Sequence, residues 1–247
     1  MKQIIAICLL SGISFNSISQ LISIEKIKAI PQKSFYNTKD STLVFPAFKI
    51  KNKNAEIKIN NKIKTDFKKD RGIEKSGNIQ SMLKKASEEG LTQIDFEIKY
   101  QKNKLLSFLF QWEATGAYSS TWQTYYCFNL ETGNLITLDS LIDKRYKKDF
   151  LSLVKKKQSE NINKYKKDLS DQLRKKEIDK ETFNWATAQI RNNSWGNYNP
   201  QNFIIDKNTL TIIIDCEFPH AIQALSPDNE IKLTIKEVQP YFNSIYL

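Results

Sequence analysis

A single histidine, His220, bounds much of the chemistry open to this 247-residue chain. A Ser-His-Asp or Cys-His site would have to use it, because an imidazole is the usual base that activates a hydroxyl or thiol. No Gly-x-Ser-x-Gly turn is present to expose such a serine. His220 follows Pro219 at the end of an apolar run, so a loop histidine without a catalytic role is expected. One histidine and scattered carboxylates give no paired spacing and no Cys-x-x-Cys for a metal. Seven glycines leave no phosphate-binding loop. The sequence therefore names no catalytic residue, no metal ligand and no cofactor.

Carboxylates and aromatics remain. Glycoside cleavage requires two carboxyl groups flanking one bond, and the candidates are Asp95, Glu97 and Glu113. Alternation on the wet face of a strand accounts for Asp95 and Glu97, leaving Glu113 beside Trp112. Trp112, Tyr118, Trp122, Tyr125 and Tyr126 form an aromatic group around it. Such rings either pack a core or, when exposed, stack on sugars or anchor a protein partner. The candidate ligand-binding residues are Trp112, Glu113, Gly116, Tyr118 and Trp122.

The elements that must position them follow from periodicity. Residues 20–40 read as an entry strand or ordered arm. The run TLVFPAFKI from Thr42 reads as a strand broken by Pro46. In residues 54–70, Ile59, Ile63 and Phe67 recur every fourth position with Ile57 alongside, predicting a helix. Residues 72–77 are a loop, and Ile79, Met82, Leu83 and Ala86 mark a short helix closed by Gly90. From Thr92, Ile94, Phe96 and Ile98 alternate with Asp95, Glu97 and Lys99, an antiparallel strand with one wet face. Asn103 turns it into a hairpin over 92–112. A third strand starts at Trp122 and ends in the turn Glu131-Thr132-Gly133-Asn134. Residues 139–191 are lysine-rich and helical, and their charge is the solvated face of amphipathic helices. Their apolar face is too sparse for a membrane-surface helix. Residues 192–202 read as a loop, followed by a hairpin turning at Asp206-Lys207-Asn208 and a last strand from Glu230.

The chain carries 38 basic and 27 acidic residues, a formal charge of +11. Only Arg71, Arg145, Arg174 and Arg191 are arginines. Lysine lacks the planar fork that favours phosphate and base-edge recognition, so no nucleic acid is expected as partner. The charge fits either a weak anionic-surface role or the composition of an AT-rich genome. Of the three cysteines, Cys8 lies near the N-terminus, while Cys127 and Cys216 sit in apolar runs. They form either a disulfide or two buried thiols.

The N-terminus reads as an address. Met1-Lys2-Gln3 precedes apolar residues 4–10, and Ser17 and Ser19 occupy the −3 and −1 positions of a cleavage site before Gln20. Residues 1–19 are thus an expected signal peptide, and the protein an expected periplasmic or secreted one. Cleavage removes Lys2 and no acid, lowering the charge by one unit. No apolar run reaches the roughly 18 residues of a membrane span.

Several of these pieces together resemble a known extracytoplasmic domain. Phe45-Pro46, then Ile59-Asn60 in a helix, Ser107-FLFQWEATGAY closing a hairpin, and Phe128-NLETGNLITLDSLI follow one another. Asn208-TLTIIIDCEF and EIKLTIKEVQPYF complete the series. The order is similar to the lysozyme-sensing ectodomain of the bacterial anti-sigma-V factor, shared with the N-terminal region of certain peptidoglycan deacetylases. It covers roughly residues 40–243, and its most specific piece is the turn over residues 129–138. Thr115-Gly116-Ala117-Tyr118 stands where that family has Gly-Gly-Ala-His, so no role of its histidine is implied. Ala224-Leu225-Ser226 likewise replaces a frequent glycine. With no spanning helix before the domain and no deacetylase after it, the resemblance implies an α+β binding or scaffold domain at the cell envelope.

The expected fold is α+β, mainly antiparallel sheet with lysine-rich helices packed on one face. Residues 20–115 and 116–247 form two halves of one domain that meet near Trp112 and Tyr118. The expected function is non-catalytic binding of a cell-wall glycan or an envelope or secreted protein. The alternatives are an inhibitor of, or sensor for, a cell-wall hydrolase such as lysozyme, and an envelope-polymer hydrolase using Glu113. The basic charge disfavours lysozyme itself, because common lysozymes are strongly basic and would be repelled at long range.

Overall fold

The computed structural model describes residues 22–29, 43–102, 104–116, 119–192, 198–214 and 218–246. The predicted signal peptide, the turn residue Asn103 and Cys216 lie outside them. Strand β1 (Ile22–Ala29) runs antiparallel to β2 (Leu43–Ile50) in unbroken register, with Lys26 opposite Pro46. The expected break at Pro46 does not occur. Strand β3 (Leu91–Lys102), the neighbour on the other side, pairs with β2 in parallel only at Leu43 and Ile94. A missing N–H at position 46 therefore interrupts no ladder there.

Beyond Leu43 a helix takes the place of a strand. Asn52 caps α1 (Lys53–Asp70), its Oδ1 accepting the Asn54 and Ala55 N–H groups. Ala55, Ile59, Ile63 and Phe67 form the buried stripe, while Ile57 lies off it at 57% exposure. Along this stripe Asn60 reaches the open edge of β2. The Phe48 N–H donates to Asn60 Oδ1 at 2.9 Å, and Asn60 Nδ2 donates back to the Phe48 carbonyl at 2.8 Å. Glu56 Oε2 accepts the Ile50 N–H at 2.8 Å. Backbone groups that β3 leaves unpaired are thus satisfied by side chains.

Helix α2 (Ile79–Glu88) is capped by Asn78 and turns Met82, Leu83 and Ala86 inward. It ends at Gly90, whose φ is +89° and where a Cβ would lie 2.4 Å from the Thr115 carbonyl oxygen. Only glycine fits that left-handed approach. The chain then meanders through β3, β4 (Leu105–Thr115) and β5 (Ser119–Asn129), giving a five-stranded sheet in chain order. Phe108 and Phe110 of β4 meet Phe45 and Phe48 of β2 and Phe67 of α1 in edge-on and tilted contacts, with ring centres 5.0–5.9 Å apart. This aromatic layer is the first core.

A turn after β5 docks the sheet on the start of α1. Asn129 Oδ1 accepts the Glu131 and Thr132 N–H groups, and Gly133 takes φ +72°. A Cβ at Gly133 would lie 2.7 Å from the Ala55 Cα, so the turn and the helix touch backbone to backbone. Next come α3 (Leu138–Leu141), α4 (Lys147–Arg174) and α5 (Lys180–Asn192). Along the 28 residues of α4 only Phe150, Val154, Gln158 and Leu169 are buried, and the lysines face solvent as expected.

The remaining strands, β6 (Tyr198–Ile205), β7 (Thr209–Ile214) and β8 (Glu230–Thr234), form an antiparallel three-stranded sheet, followed by the short α6 (Ile235–Val238). β6 begins inside the segment expected to be a loop. Its Tyr-Asn-Pro-Gln-Asn start has neither alternation nor strand propensity, and pairing with β7, with a register shift between Tyr198 and Phe203, makes it a strand. The second core joins Phe203, Ile205, Leu210 and Ile212 to Leu105 and Cys127 of the first sheet and to Phe150 and Val154 of α4. At its centre the buried Ser107 Oγ accepts the Ile205 N–H at 3.0 Å. The α+β class is the one expected. No helix among the described residues is long and apolar enough to cross a membrane.

Two outcomes follow from this packing. Asn60→Ala strands both Phe48 backbone groups and is expected to cost about 2 kcal/mol, read as a lower urea midpoint at unchanged slope. Cys127 is a free thiol 2% exposed, and burial pushes its pKa up to about 12. Since the thiolate is the nucleophile, native Cys127 at about pH 8 should alkylate far more slowly than in the urea-unfolded chain. Mass spectrometry of its peptide measures the ratio.

Candidate functional site

Strand alternation separates the sequence-predicted site residues. Successive side chains of β4 point to opposite faces, so Trp112 enters the first core and Glu113 faces away from it. In the β4–β5 register Trp112 stands opposite Trp122, and Glu113 opposite Thr121. The two indoles stack with centres 4.1 Å apart and planes 14° from parallel. Trp112 is 4% exposed, whereas Trp122 is 42% exposed. One ring belongs to the core and the other lies over it at the surface.

Two residues hold the inner ring. Phe67 meets Trp112 edge-on, with centres 6.2 Å apart and planes at 89°. The Arg71 guanidinium carbon lies 4.9 Å from the centre of the Trp112 ring, a cation–π contact. Arg71 reaches it because it closes α1, its N–H bonded to the Phe67 carbonyl. Its Nη2 donates at 2.9 Å to the Glu89 carbonyl, one of the carbonyls that α2 leaves unpaired at its end. Its Nε is buried without a hydrogen-bond partner. Burial draws the Arg71 pKa down and the Glu89 charge opposes it. The guanidinium nonetheless stays charged, against the ring face and the Glu89 carbonyl.

On the outer strand, alternation puts Ser120, exposed, and Thr124, half-buried, on the same face as Trp122. The site is thus a flat aromatic surface with neutral hydrogen-bonding neighbours. This composition suits stacking on a ring with hydroxyls at its edge.

Glu113 lies on the other face. Ser119 Oγ donates to Glu113 Oε1 at 2.6 Å. A cleft of about 110 Å³ there is lined by Gln93, Gln111, Trp112, Glu113 and Thr121, with one carboxylate among the described residues. Asp95 accepts the N–H of Phe96, and Glu97 pairs with Lys99. The two-carboxylate geometry of glycoside cleavage is not assembled among these residues. Gly116 forms the bend after β4, and a Cβ there would meet nothing within 4 Å. Tyr118 lies outside the described residues. Tyr126 is a core residue that donates to Asp66 at 2.9 Å, and Tyr125 donates to Gln123 at 2.8 Å. His220 opens a 3₁₀ turn, His220–Leu225. No group of three or more metal-ligating side chains occurs among the described residues.

Sequence reasoning missed Arg71 and Phe67 as parts of the site. Phe67 reads only as a position on a helix stripe. Arg71 carried a faint signal, being one of four arginines in a lysine-rich chain.

Scanned as a sequence, the chain matches no family model and no curated protein. Its fold is shared with solved structures. A DUF3298 family member from Bacteroides fragilis matches with a TM-score of 0.53 and 14% identity, over 90% of this chain and 94% of that one. A DUF3298 family protein from Pseudomonas aeruginosa matches with a TM-score of 0.51 and 9% identity, over 91% of this chain and 95% of the other. DUF3298 is a family of domains of unknown function, and at these identities the likeness is one of fold.

The asymmetry of the indole pair is measurable. Trp112→Ala opens a cavity in the first core and is expected to cost about 3–5 kcal/mol. Trp122→Ala loses mainly one stacking contact, about 1 kcal/mol. Urea unfolding of the two variants measures the gap.

Proposed function

We propose that this protein is a non-catalytic binding domain of the cell envelope that takes a glycan on the exposed face of Trp122. The observation that carries this reading is the rigid presentation of that ring. An exposed indole is normally free to rotate, but here Trp112 fixes its plane, and Phe67 and Arg71 in turn fix Trp112. A preset aromatic surface loses little conformational freedom on binding. Neutral neighbours favour sugar hydroxyls over charged partners. The lone carboxylate of the Glu113 cleft supports binding over hydrolysis. Envelope location rests on the signal-peptide pattern and on the resemblance to the anti-sigma-V ectodomain.

The test is co-sedimentation of the purified chain with insoluble peptidoglycan at low and at high salt. Retention should survive high salt and fall at least about tenfold in Trp122→Ala, the loss of roughly 1.4 kcal/mol of contact. Retention lost in salt and indifferent to Trp122 would assign it to lysine charge. No retention in either condition would overturn the glycan reading. A protein partner, such as a cell-wall hydrolase that the chain inhibits or senses, would then take its place.

A further inference from the structure

A second concavity lies at the opposite end of β4, about 24 Å from the indole pair at ~3.4 Å per residue. The end of β3, the β6–β7 turn, α6 and the C-terminal residues surround a cavity of about 220 Å³. Its floor is the second core at Leu105 and Ile205, both buried. Tyr100, Phe242 and Tyr246 supply aromatic walls. Burial pushes the phenol pKa of both tyrosines up, and the neighbouring Cys127 adds to the shift at Tyr246, so both remain neutral hydroxyls. For scale, an apolar cavity of about 150 Å³ admits benzene.

The charge at the mouth is of one sign. Lys102 and Lys207 line it, and no carboxylate does among the described residues. Two other clefts differ, one holding Glu113 and the other Asp168 and Asp228. Neighbouring lysines are neutralised, Lys99 by Glu97 and Lys104 by Glu131. Lys102 and Lys207 form no ion pair among the described residues. The acid next to Lys207 is already engaged. Asp206 accepts the Asn208 N–H at 2.6 Å, the Thr209 N–H at 2.8 Å and the Thr209 hydroxyl at 2.7 Å.

We propose that this cavity binds a small organic anion, one apolar ring or short acyl segment inserted against Leu105 and Phe242, with its anionic group held between Lys102 and Lys207. The apolar body replaces water over the second core, and the two unpaired ammonium groups select the charge. Lysine does not distinguish carboxylate from phosphate, so both head groups belong to the proposal.

Titration of the full chain with benzoate, phenyl phosphate and benzyl alcohol, followed by ligand-observed NMR, tests it. Both anions should bind about tenfold more tightly than the alcohol. Lys102→Met with Lys207→Met should bring the three within about twofold, and Phe242→Ala should weaken all of them. Both lysines are exposed, so an unchanged thermal midpoint in the double variant confirms that it folds. Trp122→Ala should leave benzoate binding intact, which keeps this site separate from the glycan reading. Equal binding of anion and alcohol to the native chain, an anion preference that survives the double variant, or no binding of any probe would each overturn the proposal.

Discussion

The two hydrogen bonds between the Asn60 amide and the Phe48 backbone carry the first half of the molecule. Strands β2 and β3 touch at one parallel pair and then part. The backbone edge left behind must be paired or hydrated, and α1 lies alongside it. Asn60 presents one acceptor and one donor in the spacing of a neighbouring peptide, which is what the Phe48 N–H and carbonyl require. A helix thereby completes a sheet. Once α1 is seated there, Phe67 falls against Phe45 and Phe110, and Arg71, at the helix end, arrives over Trp112. At the other end of α1 the Gly133 turn closes on Ala55. The position of the indole pair is set by contacts made three helical turns away.

Strand β4 carries the second constraint. Its even-numbered residues from Leu106 to Trp112 serve the first core, while Leu105 and Ser107 enter the second. A polar residue buried between two sheets would be costly if unpaired, and Ser107 is paired with the Ile205 N–H. Past Leu109 the second sheet no longer covers this face, and Gln111 and Glu113 reach solvent. The same strand is therefore a shared wall at one end and a half-exposed surface at the other.

The positive charge contributes little to holding the fold. The ion pairs are exposed or half-exposed, among them Lys147 with Asp139 and Arg174 with Asp171, and such pairs are each worth ~0–1 kcal/mol. Stability rests on the two apolar cores. The lysines of α4 instead face solvent, and Lys102 and Lys207, without an ion pair among the described residues, stand beside a cavity.

Much of the architecture was legible in the sequence, because periodicity reports burial directly. The stripe Ile59, Ile63, Phe67 gave α1, the alternation from Ile94 to Ile98 gave β3, and the Gly133 turn followed from the need for positive φ. Three things required the tertiary structure. Pro46 was tolerated because β3 turns away, β6 became a strand because β7 was there to pair with it, and Trp112 and Glu113, adjacent in sequence, went to opposite faces of one sheet. In each case the deciding neighbour is distant along the chain. Sequence spacing shows which residues can share a face, and only packing shows what that face meets.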